Sequence, residues 1–234
     1  MKYLVLFDID GTLLKLQKGI AAPVFFNAIQ DVIGFKISSD IPVDFAGRTD
    51  YSILSYIFKQ SNFPKAYLES NLNEIYNRIN DYFEVKVSKE QITVLDGVYE
   101  LLELLSKNGS IRLGLVTGNF QKNAILKVRL AEIDKYFSFG AFGDYAPNRL
   151  NLPKMAIQAA LSNDIVSIPE KSLIIGDTHR DITSAQHNKM KSIAVATGGT
   201  QFNELLKFNP DAIYENFKDY KNVYWKILEL LKII

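Results

Sequence analysis

Short apolar runs alternate with helix-period segments along most of this chain, and that rhythm predicts its architecture. Tyr3-Leu4-Val5-Leu6-Phe7 opens as a strand, and Ile111 to Val116, Phe137 to Phe142, Ser172 to Ile175 and Ser192 to Ala196 read the same way. Ala212-Ile213 adds a last edge strand. Between them, helical spacing covers Val98 to Leu105, Lys122 to Ala131, Pro153 to Leu161, Ile182 to Asn188, Phe202 to Leu206 and Tyr220 to Leu231. Strands that alternate with helices imply a parallel sheet covered on both faces. Continuous apolar strands agree, because burial on both sides removes the alternation of a half-exposed strand.

Residues 15 to 88 break the rhythm. Apolar residues recur there at helical spacing, as in Val24-Phe25, Ala28-Ile29 and Val32-Ile33, then Ile53-Leu54 and Ile57-Phe58, then Leu68, Leu72, Ile75-Tyr76 and Ile79. No strand pattern of comparable strength intervenes. The expected organisation is an α/β core formed by residues 1–14 and 89–234, with a helical unit of residues 15–88 inserted after the first strand.

Composition narrows the function without naming it. Lys and Arg (27) nearly balance Asp and Glu (26), so no global basic field points to nucleic acid or an anionic membrane. An anionic substrate must therefore be caught locally. The absence of cysteine excludes disulfides, thiolate metal sites and a cysteine nucleophile. The N-terminal apolar run is short and broken by two aspartates, unlike a signal peptide, and no segment matches a membrane span. The expectation is a cytoplasmic protein.

Four polar clusters follow predicted strands, where ligands bind in open α/β sheets. Asp8 and Asp10 flank Ile9 at the end of the first strand, and i, i+2 spacing there brings both carboxylates to one side. Thr117-Gly118-Asn119 offers a hydroxyl and backbone amides to a phosphate oxygen, though such a sequence is more often a plain turn and helix cap. Arg149, with Lys154 a turn later, offers a cation or a solvated charge. Asp177 and Asp181, in Gly176-Asp177-Thr178-His179-Arg180-Asp181, suit one hard cation, though Asp181 also suits a helix start. His179 and His187 are too few and wrongly spaced for a zinc site and read as surface residues. Thr197-Gly198-Gly199-Thr200 lacks the spacing of a nucleotide loop.

Asp8-Ile9-Asp10-Gly11-Thr12-Leu13, Thr117-Gly118-Asn119 and Gly176-Asp177-Thr178 with Asp181 resemble, in order and strand-end context, the motifs of the haloacid dehalogenase-like (HAD) hydrolases. The phosphoglycolate phosphatase/β-phosphoglucomutase-like branch is the best match. The resemblance implies a Rossmann-like parallel sheet flanked by helices, with the insert as a helical cap. It implies that Asp8 attacks phosphorus and forms an aspartyl-phosphate, and that Asp10 acts as general acid and base. It implies Mg²⁺ held by Asp8, the backbone carbonyl of Asp10 and Asp177, with Asp181 behind them. Thr117 and Arg149 would hold the non-transferring oxygens, with Gly118 and Asn119 beside the substrate. The family's third motif usually has Lys before Pro-x-Pro. Here the slot reads Arg149-Leu150-Asn151-Leu152-Pro153-Lys154, and Arg149 is preferred to Lys154. Asp10 argues against a true dehalogenase, which needs no acid to protonate a halide. The expected activity is Mg²⁺-dependent hydrolysis of a small-molecule phosphomonoester by a monomer or homodimer. A phosphosugar mutase and an idle binding module are the alternatives. Arg48, in Gly47-Arg48-Thr49-Asp50, either contacts the substrate or belongs to a helix-start turn.

Overall fold

The computed structural model describes residues 1–144 and 146–234. A six-stranded sheet lies at its centre, in the order β5-β4-β1-β6-β7-β8, with every neighbouring pair parallel. Its strands are β1 (Tyr3–Phe7), β4 (Ile111–Val116), β5 (Phe139–Ala141), β6 (Ser172–Gly176), β7 (Lys191–Val195) and β8 (Ala212–Tyr214). The helices α4 (Val98–Ser106), α5 (Gln121–Leu130), α6 (Leu152–Leu161), α7 (His179–His187), α8 (Phe202–Leu206) and α9 (Tyr220–Leu230) connect and flank them. This is the parallel sheet covered by helices that the strand–helix rhythm predicts, in the Rossmann-like α/β form that the resemblance implies. Among the described residues, no helix is long and apolar enough to cross a membrane.

Two apolar layers explain why β1 is apolar at every position. Val5 and Phe7 pack on one face with Leu101, Leu102, Val223 and Ile227, while Leu4 and Leu6 pack on the other with Leu152, Ala156 and Ala160. A buried Leu or Phe contributes about 1.5–3 kcal/mol, so a charge inside β1 would forfeit that burial on either face. Polar residues are consequently deferred to the strand's carboxyl end, where Asp8 begins.

Three helices, α1 (Ala21–Ile33), α2 (Asp50–Gln60) and α3 (Lys65–Lys86), lie between β2 (Leu14–Leu16) and β3 (Ile92–Val94). They share an apolar cluster of their own, including Phe25, Ile29, Leu54, Phe58, Ile75 and Phe83, which also takes in Phe120. The β2–β3 antiparallel pair is not foreseen by the hydrophobic pattern, which starts the helical insert at residue 15, inside β2. Each strand has only three residues and is fixed by a distant partner, so neither leaves a periodic signature. A second difference lies at α7, which starts three residues earlier than the apolar pattern predicts. Thr178 and Asp181 form a capping box there, and polar capping residues carry no hydrophobic signal.

Candidate active site

The parallel register fixes the site. Phe7 stands beside both Leu115 and Ile175, so the chain leaves β1, β4 and β6 at one level. Asp8, Thr117 and Asp177 are therefore neighbours across three strand ends, and the Asp8 amide still donates to the Ile175 carbonyl at 3.0 Å. Gly11 turns the chain away from the sheet with φ +83°, and a Cβ there would lie 2.5 Å from Asp177 Oδ2. Gly198 is tighter, since a Cβ would come within 1.6 Å of the same oxygen. The loop that lacks nucleotide-binding spacing thus has a different part: it makes room for Asp177. Thr197 ties that loop to the Gly11 carbonyl.

Asp8, Asp177 and Asp181 are all buried, and one carboxylate oxygen from each lies within 4.8 Å of the others. Arg149, also buried, donates from Nη2 to Asp8 Oδ1 at 2.9 Å and to Asp181 Oδ1 at 2.5 Å. Its turn, Arg149–Asn151, immediately precedes α6. Lys154, the other cation considered for this slot, is exposed on α6 and takes no part. Asp181 works twice: its Oδ2 accepts from the Thr178 amide and hydroxyl, while its Oδ1 accepts from Arg149. The helix-start reading of this residue is realised, and the same carboxylate also stands in the cluster with Asp8 and Asp177.

The electrostatics are unbalanced. Three buried carboxylates face one buried guanidinium. Burial pushes Asp8 up to about 7, against the pull of Arg149 and with the repulsion of Asp181 and Asp10 behind it. Burial, then the charges of Asp8 and Asp181, hold Asp177 well above the usual carboxylate range. Burial works against the charge of Arg149, but Asp181 and Asp8 outweigh it and raise its pKa. A second positive charge would relieve the excess. The donors are hard oxygens, the type Mg²⁺ prefers, so the residues present fit such an ion.

Asp10 stands apart from this cluster. Because β1 ends at Phe7, the i, i+2 rule of a strand does not extend to Asp8 and Asp10, and their side chains diverge. The Asp10 carboxylate accepts from Asn119 Nδ2 at 2.7 Å and from Lys127 Nζ at 2.6 Å. Thr117 is fully buried, and its hydroxyl oxygen accepts from the Asn119 amide and side chain. Sequence reasoning missed Lys127. One signal was available: on α5 it shares the inward stripe with Asn123, Ala124 and Val128, where a free lysine has no place.

The turn before α2 and the helix's first residue pack against these loops. The Asp50 amide donates to the Gly118 carbonyl, and Asp50 Oδ2 accepts from the amide of Phe120, the residue just before α5, both at 2.7 Å. Burial raises Asp50 to about 7, although the Phe120 amide and Lys127 oppose the shift. Gly118 lies so close that a Cβ would reach within 2.0 Å of the Arg48 carbonyl. Arg48 is half-buried; its Nη2 donates to the Ser52 carbonyl at 2.9 Å and its guanidinium lies 5.2 Å from the Tyr56 ring centre. It lines a cavity of about 580 Å³ together with Asn148, Arg149, His179 and Arg180. His179 is partly buried and stacks on Phe208 at 4.9 Å, whereas His187 is exposed.

A family model described as haloacid dehalogenase-like hydrolase matches residues 5–195. Pyrophosphatase PpaX of Oceanobacillus iheyensis is 29% identical over 217 residues, spanning 92% of this chain and 93% of its own. Phosphoglycolate phosphatase of Salmonella typhimurium is 23% identical over 234 residues, spanning 92% of this chain and 89% of its own. The β-phosphoglucomutase of Clostridium difficile shares the fold, with a TM-score of 0.69 at 20% identity over 100% of this chain and 98% of that one. With the carboxylate cluster at the strand ends and the matched model covering most of the sequence, the chain belongs to the haloacid dehalogenase-like hydrolase family, as one of its phosphatases.

Proposed function

We propose that this protein hydrolyses a small phosphomonoester with Mg²⁺, through an aspartyl-phosphate on Asp8. The observation that carries the reading is the buried Asp8 carboxylate, oriented by Arg149 and crowded by Asp177 and Asp181. An Asp8 oxygen attacks phosphorus, the P–O bond to the leaving group breaks, and Asp10 supplies the proton that the leaving oxygen needs. Water then attacks the aspartyl-phosphate, giving its proton to Asp10, and Asp8 leaves as a carboxylate. Arg149 and Thr117 hold the non-transferring oxygens. Asp8, Asp177 and the Asp10 main-chain carbonyl would hold Mg²⁺, which when bound neutralises charge between nucleophile and phosphate. Asp181 supports them from behind, since both its oxygens are engaged by Thr178 and Arg149.

Residues 15–88 act in this reading as a cap that closes over the phosphate site through Asp50, expelling water and strengthening each electrostatic contact. Arg48 and the cavity it shares with Arg149 receive the rest of the substrate. The PpaX and phosphoglycolate phosphatase relatives, both named for hydrolysis, favour water over a sugar hydroxyl as the acceptor. Asp8→Asn is the direct test. It should abolish turnover and beryllofluoride trapping while leaving the circular dichroism spectrum unchanged; substantial turnover would sink the mechanism.

A further inference from the structure

Lys127 is a buried cation whose direct hydrogen bonds go to Asp10 and Asn119, with the charge of Asp50 also acting on it. Its side chain is 4% exposed, and its ammonium donates to Asp10 Oδ2 at 2.6 Å and to Asn119 Oδ1 at 2.7 Å. Phe83 of α3 closes the remaining side, with the ammonium 5.7 Å from the ring centre. Burying an ammonium costs several kcal/mol unless good partners compensate, so a position that needed only filling would favour an aliphatic residue. The partners here are specific. Asn119 donates to the same Asp10 oxygen and to Thr117 Oγ1 at 2.8 Å, which links the pair to the end of β4.

We propose that Lys127 is a positioning residue that aims Asp10 at the hydrolytic water. The inference rests on the reading of Asp10 as the base. Both donors use Oδ2, and among the described residues no hydrogen bond reaches Oδ1. Oδ1 is therefore the atom that takes the water proton. As it does so, the water oxygen bonds to phosphorus, the bond from Asp8 to phosphorus breaks, and Asp8 departs with the electron pair. Without Lys127 the Asp10 side chain keeps one neutral donor and gains freedom to rotate, and a misaimed base loses most of its effect. Phe83 packs over the ammonium, so α3 contributes to holding the lysine that aims Asp10.

The hydrolytic step can be separated from the first. An aryl phosphate expels its leaving group without an acid, so kcat/KM for p-nitrophenyl phosphate reports formation of the phosphoenzyme, while kcat senses its hydrolysis. Lys127→Met should lower kcat at least about tenfold, within the range of a lost general base, and leave kcat/KM within about threefold. Acid-quenched enzyme should carry more phosphate during turnover than wild type. Lys127→Gln should behave alike and carries the test if the methionine variant fails to fold, and Lys127→Arg should restore kcat. Asp10→Asn, measured alongside, should accumulate phosphoenzyme too. If Asp10→Asn accumulates it and the Lys127 variants do not, Lys127 is not the positioning residue. If neither accumulates it, the assignment of the base falls with it. Equal losses in kcat and kcat/KM for the Lys127 variants would mark a merely structural lysine.

Discussion

Replacing one carboxylate of the buried cluster, Asp177, should stabilise this protein when no metal is present. Asp177 faces Asp8 and Asp181 with oxygens no more than 4.8 Å apart. At an effective dielectric near 20, each such pair repels by about 3.5 kcal/mol. Asp177 thus carries two repulsions against one attraction from Arg149, which leaves about 3 kcal/mol of net cost. Proton uptake does not escape this cost at pH 8, because the proton must then be drawn from a solution in which a free carboxyl would not hold it. Asp177→Asn keeps the shape, still accepts from Thr12 (3.3 Å) and removes the charge. In EDTA at pH 8 the variant should melt about 6–12 °C above wild type, since 1 kcal/mol moves a domain of this size by about 2–4 °C. The gain should shrink towards pH 5, where protonation becomes easy. Mg²⁺ at about 1,000 times Kd should reverse the order: wild type gains about 4.1 kcal/mol, more than the metal-free difference, and the variant gains little. Calorimetric scans with EDTA and with Mg²⁺ give all four values. An Asp177→Asn variant that melts at or below wild type in EDTA at pH 8 would refute the charge argument. One that Mg²⁺ stabilises as fully as wild type would remove Asp177 from the metal.

The pH dependence of the metal-free protein follows the same logic. Between about 4 and about 7 native Asp8 and Asp50 bind more protons than their unfolded counterparts, so urea-measured stability in EDTA should fall as pH rises through that window; a rise would contradict the raised values. Arg149→Met breaks a buried pair and should cost about 3–5 kcal/mol of stability together with nearly all turnover, whereas Lys154→Ala should be silent in both assays. Arg48→Ala should reorder a panel of natural phosphoesters while leaving p-nitrophenyl phosphate turnover within about tenfold, a barrier change near 1.4 kcal/mol. Equal losses on every substrate would assign Arg48 to catalysis or to folding.

How much of this was legible depended on whether a residue's task leaves a local trace. The sheet was legible because burial on both faces forces unbroken apolar runs, and four of the strand ends could be read from the polar residues that follow. Asp8 and Asp177 were legible for the same reason: they stand where the apolar run stops. Short β2 and β3 were not, because three residues paired to a distant partner have no period of their own. The burial of Asp50 was hidden as well, since an acid in a helix's first turn needs no explanation beyond the helix itself.

The two basic residues that matter show the limit most sharply. Arg149 and Lys154 flank the start of α6, and composition treats them alike. The turn before the helix points one at Asp8 and Asp181 while helical phase carries the other to solvent. Lys127 is the converse case, a lysine in an unremarkable helix whose phase turns it inward to Asp10. Phase was readable there, from Asn123, Ala124 and Val128 beside it, but the partner was not. That partner depends on β1 ending at Phe7 rather than at Asp10, which sends the two aspartates of the first motif to different cations: Asp8 to Arg149, Asp10 to Lys127. Two aspartates set two residues apart in sequence thus acquire separate surroundings, and separate surroundings are what the proposed roles of nucleophile and base require of one motif.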